Sequence, residues 1–187
     1  SKVLFIAVVI SLTAGWKVPA QSDIEKTKHL NNRANYNPAI IARTDYLYLF
    51  SNVRHQWTGV DGSPKVLNVQ ASEYFHNLRS AFGVSLVGDK IGITRSYNPM
   101  LSYAYRIAID DDFSFSMGLS LGMFYRSVDG SLFEAEIIND PSLRYSKEEI
   151  FQPDANVGVE FLSPYLILGL SSTHLLSIGS ADPSFQN

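Results

Sequence analysis

The chain has 187 residues, 45 % of them hydrophobic, with 15 Lys and Arg against 18 Asp and Glu and no Cys. The missing cysteines exclude a disulfide scaffold, a thiolate nucleophile and any Cys-ligated zinc or iron–sulfur centre. A net charge of -3 gives no overall basic footprint, so no nucleic-acid partner is expected.

Only 18 % of residues are charged, below the roughly 25 % of ordinary soluble domains. Aromatic residues make up 12 % of the chain. This balance fits an all-β chain, including one that lies in a membrane.

Lys2 precedes the apolar run Val3 to Ile10, and the segment ends on Ala20 before Gln21. A basic start, a short apolar stretch and a small residue at its end predict a secretory signal peptide over residues 1–20, cleaved near Ala20. The run is short for a membrane helix, which needs about 20 apolar residues. Residues 21–43 are expected to form a periplasmic or plug-like N-terminal segment. Residues 44–187 are expected to form the N-terminal part of a transmembrane β-barrel.

Beyond residue 44 the recurring signal is period-two alternation. Phe113, Phe115, Met117, Leu119, Leu121, Met123 and Tyr125 share one parity, with Ser114, Ser116, Gly118, Ser120 and Gly122 between them. Successive strand side chains point to opposite faces, so one face is continuously apolar and the other small and polar. A soluble sandwich turns such a face into its core; an outer-membrane barrel turns it to lipid, with aromatics at the interfaces. Length favours the barrel, since a spanning strand needs about 9–11 residues and an average globular strand about 5–6.

Seven strands are predicted, at 45–57, 65–75, 79–88, 93–109, 112–127, 155–162 and 165–174. The fold class is therefore all-β: an antiparallel transmembrane barrel of outer-membrane type, here incomplete. Asn98-Pro99 predicts a bulge or break in the fourth strand, because proline cannot donate to the ladder. With the first strand running outward, the outer connections are 58–64, 89–92 and 128–154, and the periplasmic ones are 76–78, 110–111 and 163–164. Short periplasmic turns and longer outer loops are the rule for such barrels. An odd strand count, followed by the turn-like residues Gly179 to Pro183, suggests a longer parent chain.

Little in the sequence points to chemistry. His29, His55, His76 and His174 have no partner at a metal-ligand spacing, and no GxSxG elbow is present. No catalytic residue, metal or cofactor is expected. Asp110-Asp111-Asp112 reads as a solvated turn, and Lys147-Glu148-Glu149 as a short helix in the long outer loop. The most informative stretch runs from Arg54 to Pro64. In it Arg54 and Gln56 are expected to face the lumen and Trp57 the lipid boundary. Gly59 and Gly62 permit positive φ, and Pro64 fixes the start of the second strand. A stabilised barrel rim explains this stretch as well as a binding role does.

In order along the chain come Tyr36-Asn37-Pro38-Ala39, Arg54-x-Gln56-Trp57-x-Gly59-x-x-Gly62-x-Pro64, Asp89-Lys90-Ile91-Gly92 and Ser102-Tyr103-Ala104-Tyr105-Arg106. Pro153-Asp154-Ala155-Asn156-Val157-Gly158-Val159, Leu168-Gly169-Leu170-Ser171 and His174-Leu175-Leu176 follow. In this the chain resembles the PorP/SprF family of outer-membrane proteins linked to the type IX secretion system of Bacteroidetes. Ser63 stands where the family usually has Ala, and Thr173 where Pro is common.

The resemblance implies a non-enzymatic barrel that helps export or hold surface cargo, including gliding adhesins. Its partners would be periplasmic secretion and gliding motor proteins, the secreted cargo and outer-membrane lipid. Asn37, Pro38, Arg54, Gln56, Trp57, Gly59, Gly62, Pro64, Asp89, Lys90, Gly92 and Arg106 become structural or partner-facing candidates. The alternatives are a passive porin or hydrophobic-solute channel, an outer-membrane hydrolase, and a soluble secreted sandwich.

Overall fold

Seven strands follow one another as an antiparallel meander, each hydrogen-bonded to its neighbours in sequence. They are β1 (Tyr48–His55), β2 (Lys65–Phe75), β3 (Ser80–Ile91), β4 (Thr94–Ala108), β5 (Ser114–Asp129), β6 (Lys147–Leu162) and β7 (Ile167–Ser172). The computed structural model describes residues 33–110, 112–130 and 147–176. Among these no helix is long and apolar enough to cross a membrane. The expected signal peptide, His29, Asp111 and Gly179 to Pro183 lie outside the described residues.

The sheet curls into a half-barrel, and the sequence alternation separates its two faces. Gln70, Ser72, Ser96, Asn98, Ser116, Ser120, Asp154, Asn156 and Glu160 are buried on the concave side. Leu101, Leu119, Leu121, Val84 and Leu86 are exposed on the convex side. Polar inside and apolar outside is the inverse of a soluble sandwich and is the order of a membrane barrel. The residues that a sandwich would bury, such as Leu121 at 52 % exposure, face outward instead.

Convex aromatics gather towards both ends of the strands. Near the His76 turn the Phe75, Phe82 and Tyr103 rings follow one another at 5.9 and 5.3 Å, and Phe113 meets Phe161 at 6.3 Å. Near the opposite end Tyr97 stacks on Tyr125 at 6.3 Å, with Phe151 next in register. Rings whose bodies are apolar and whose hydroxyls are polar suit the two membrane interfaces.

The predicted strands are all present, with three local corrections. β6 begins at Lys147, not at residue 155, and Lys147-Glu148-Glu149 is extended, not helical. Asp129, Val128 and Ser127 of β5 pair with these three residues and supply the ladder that local propensity did not reveal. Asp89, Lys90 and Ile91 belong to β3, so the β3–β4 connection shrinks to Gly92 and Ile93, with Ile91 paired to Thr94. Gly92 takes φ 57° there, the conformation such a tight turn asks of its first residue.

At Asn98-Pro99 the expectation of a bulge or break is met by a break and not a bulge. Register with β3 is unbroken, whereas the pairing with β5 skips both residues and resumes in step at Met100–Gly122. The lost donor interrupts one ladder without shifting it. Between β4 and β5, Ile109 N–H donates to Phe113 O at 2.8 Å.

Candidate functional site

The concave face carries one feature that the strands alone would not create. Residues Arg33 to Asp45 cross it as a strap, made of a 3-10 turn at Arg33–Asn35 and a short 3-10 helix at Pro38–Ala42. Asn37 starts that helix: its Oδ1 accepts from Ala39 N–H at 3.0 Å. Pro38 takes the first helical position, where its missing N–H costs nothing. Asn37 also reaches the wall, donating from Nδ2 to Val159 O at 3.0 Å. One side chain thus shapes the strap and fastens it.

Two glycines make room for this fit. Gly118 and Gly158 are paired across β5 and β6. A Cβ on Gly118 would collide with Ala39, and one on Gly158 with Asn37 Oδ1. Farther along, Ile41 and Ala42 pack on Tyr74, Ala81 and Ala104 in a small buried apolar cluster.

Charged groups fix the exit of the strap. Arg43 pairs with Glu160 through Nη2–Oε1 and donates from Nε to Oε2 at 3.3 Å; the Glu160 side chain is only 4 % exposed. Arg106 donates from Nη1 to Ala42 O at 3.0 Å, pairs with Asp45, and lies 3.8 Å over the Tyr74 ring. Arg106, one of the structural or partner-facing candidates, thus contacts the strap from β4.

Beside the strap lies a water-sized cavity of about 10 Å³, lined by Asn35, Ser85, Asn98, Ser102, Ser120 and Asn156 among others. Asn35 Nδ2, Asn68 Oδ1 and Gln70 Oε1 find no hydrogen-bond partner among the described residues. Buried polar groups of this kind are met by water, so the interior is polar by construction.

Deeper along β6, Asp154 is fully buried. Its Oδ2 accepts from Asn98 Nδ2 at 3.0 Å and meets His174 Nδ1 at 2.8 Å. His174, in the left-handed region at φ 57°, also donates its N–H to Asn156 Oδ1 at 2.9 Å. Leu175 N–H reaches Ala155 O at 2.9 Å. The chain after β7 is therefore held back against β6.

The remaining candidates form a second group at the far end of the sheet. Arg54 lies on the concave side of β1, by its register with Val66. Gln56 N–H donates to Pro64 O at 3.0 Å and closes the loop between them. Gly59 and Gly62 take φ 98° and 75°, as expected, and Trp57 also has positive φ at 52°. Gly92 N–H donates to Gly62 O at 2.8 Å, which joins the β1–β2 and β3–β4 connections. Asp89, Lys90 and Gly92 sit at this end. Asn37, Pro38 and Arg106 sit at the strap.

Nearby, Glu149 pairs with Lys147 at 2.5 Å and accepts from Tyr125 Oη at 2.9 Å. Sequence reasoning missed Gly118, Glu160 and Asp154 as contributors. Gly118 and Gly158 look like ordinary small lumen-side residues until the strap is laid over them. Among the described residues no group of three or more metal-ligating side chains occurs.

The family described as "Type IX secretion system membrane protein PorP/SprF" matches residues 18–187. No curated protein and no solved structure matches the chain.

Proposed function

Because the chain belongs to the PorP/SprF family of type IX secretion system membrane proteins, we propose that it serves that system as an outer-membrane barrel that binds partner proteins. Its partners in this reading are periplasmic secretion or gliding motor components and a secreted surface cargo such as an adhesin. It is not an enzyme in this reading. In this reading residues 1–20 direct export, 21–43 form a periplasmic or plug-like segment whose described part, from Arg33 on, lies in the strap, and the barrel begins at 44. The Trp57 end faces the outside and the His76 end the periplasm, in keeping with its shorter turns.

The observation that carries the adaptor reading over a passive porin is the strap. A porin keeps a water-filled lumen, whereas here Asn37, Arg43 and Arg106 tie a segment across the concave face. The strap leaves binding, not permeation, as the task of the lumen.

The test is a pull-down of the tagged full-length protein from detergent-solubilised outer membranes, with bound proteins identified by mass. Recovery of secretion-motor components or a large surface adhesin supports the adaptor. Recovery of folded barrel alone, together with steady single-channel conductance, overturns it in favour of the porin.

A further inference from the structure

The convex face at the Trp57 end carries a row of cations set by strand register. Lys65 of β2 lies opposite Lys90 of β3, and Lys90 opposite Arg95 of β4. His55 of β1 extends the row on the other side of Lys65. All four are exposed. Lys65, Lys90 and Arg95 make no ion pair among the described residues.

Like charges directly opposite one another on neighbouring strands are destabilising. The sheet could relieve them with an acid on the same row, and it does not. The row continues through Ser127 of β5 to Glu149 of β6, and Glu149 is already taken by Lys147 and Tyr125. Among the described residues, three positive charges without an ion-pair partner therefore stand side by side.

Their height on the barrel matters as much as their sign. Two residues further along each strand, on the same face, come Leu67, Gly88 and Tyr97. Tyr97 belongs to the aromatic row with Tyr125 and Phe151, and the apolar belt of Leu86, Leu101 and Leu121 follows. Cations immediately beyond an interfacial aromatic row stand at the level of lipid headgroups.

We propose that Lys65, Lys90 and Arg95 form a binding site for the phosphorylated headgroup of a glycolipid whose acyl chains lie on the convex face. The site rests on the reading above that this face meets lipid and this end meets the outer leaflet. Three adjacent strands span about 10 Å, two spacings of ~4.8 Å. That width suits a headgroup with phosphates at both ends of a disaccharide better than the single phosphate of a phospholipid. Arg95 can grip one phosphate with two parallel N–H bonds, while the two lysines act as adaptable point charges.

The test uses the full-length protein in detergent, with diphosphoryl lipid A added in mixed micelles and bound lipid counted by native mass spectrometry. The variant is Lys65→Gln/Lys90→Gln/Arg95→Gln. Arg79→Gln, at the opposite end, serves as the control for loss of a cation. The triple variant is expected to bind at least ten-fold more weakly than wild type and the control. Fully dephosphorylated lipid A and phosphatidylglycerol are expected to bind wild type at least ten-fold more weakly than diphosphoryl lipid A does.

Unchanged binding by the triple variant overturns the site. So does dephosphorylated lipid A or phosphatidylglycerol matching diphosphoryl lipid A. Heat-modifiable migration on gels reports folding. If the triple variant fails to fold, Lys90→Gln, flanked by a cation on both sides, replaces it with an expected loss of at least three-fold. Wild-type protein that recovers its partner proteins but does not bind diphosphoryl lipid A sinks the site alone; wild-type protein that binds the lipid but recovers no partners sinks the adaptor alone.

Discussion

Gly118 and Gly158 face each other across β5 and β6, and together they leave the depth in the wall that the Asn37-Pro38-Ala39 segment fills. Gly158→Ala puts a methyl group where Asn37 Oδ1 lies. The strap must shift, and overpacking of this kind costs about 1–3 kcal/mol. Urea titration of the purified barrel should show that loss, and hydrogen exchange should show faster exchange over residues 37–43. Wild-type exchange in the strap would contradict the close fit.

The Arg43–Glu160 pair makes a different prediction, because its two halves are not equivalent. Arg43→Ala leaves a buried carboxylate without its cation, and breaking a buried pair this way costs about 3–5 kcal/mol. Arg43 keeps 25 % of its side chain exposed, so the loss should fall at or below the lower end of that range. Glu160→Gln removes the charge and keeps the shape, and should be milder than Arg43→Ala. The order of the two denaturation midpoints is the readout; a reversed order would mean that Glu160 is solvated once Arg43 is gone.

The architecture was legible because it depends on alternation, and alternation is local. Phe113 to Tyr125 announced which side of β5 faces outward, and β1, β2 and β4 follow the same alternation. Gly59 and Gly62 were legible too, since positive φ in a short loop narrows the choice of residue. The start of β6 was not. Lys147-Glu148-Glu149 has no apolar alternation and is extended only because Ser127 to Asp129 lie beside it. The strap seat was half legible: Asn37 and Pro38 stood out by type and order, but nothing local says that Gly158, more than 100 residues away, must stay bare for them. Asp154 stayed hidden for the same reason, since its partners are far away in sequence, Asn98 on β4 and His174 in the chain after β7.

Gly62 should tolerate substitution poorly for two reasons that act together. Its φ of 75° costs an L-residue about 1–2 kcal/mol. A Cβ there would also approach Gly92 Cα at 3.2 Å, beside the bond from Gly92 N–H to Gly62 O. Gly62→Ala is expected to lower stability by more than Gly59→Ala, because Gly59 has open space around its would-be Cβ. Thermal unfolding of the two variants side by side gives the comparison, and equal losses would show that the contact with Gly92 adds nothing.

Asp154 holds a return of the chain in place, so its removal should be felt locally before it is felt globally. Asp154→Ala leaves Asn98 Nδ2 and His174 Nδ1 without the oxygen they share, and buried donors stripped of an acceptor cost about 1–3 kcal/mol. His174 already sits in an unfavourable backbone region and is secured by Asp154 and by the Asn156 bond to its own N–H. Without the carboxylate, the turn at His174 and Leu175 should loosen while the β4–β5 ladder keeps its protection. Hydrogen exchange resolved by peptide reads both at once. Faster exchange at Leu175, whose N–H bonds Ala155 O, with β5 unchanged is the expected pattern. Equal acceleration in both would make Asp154 a general support of the sheet, not the local clasp that its contacts describe.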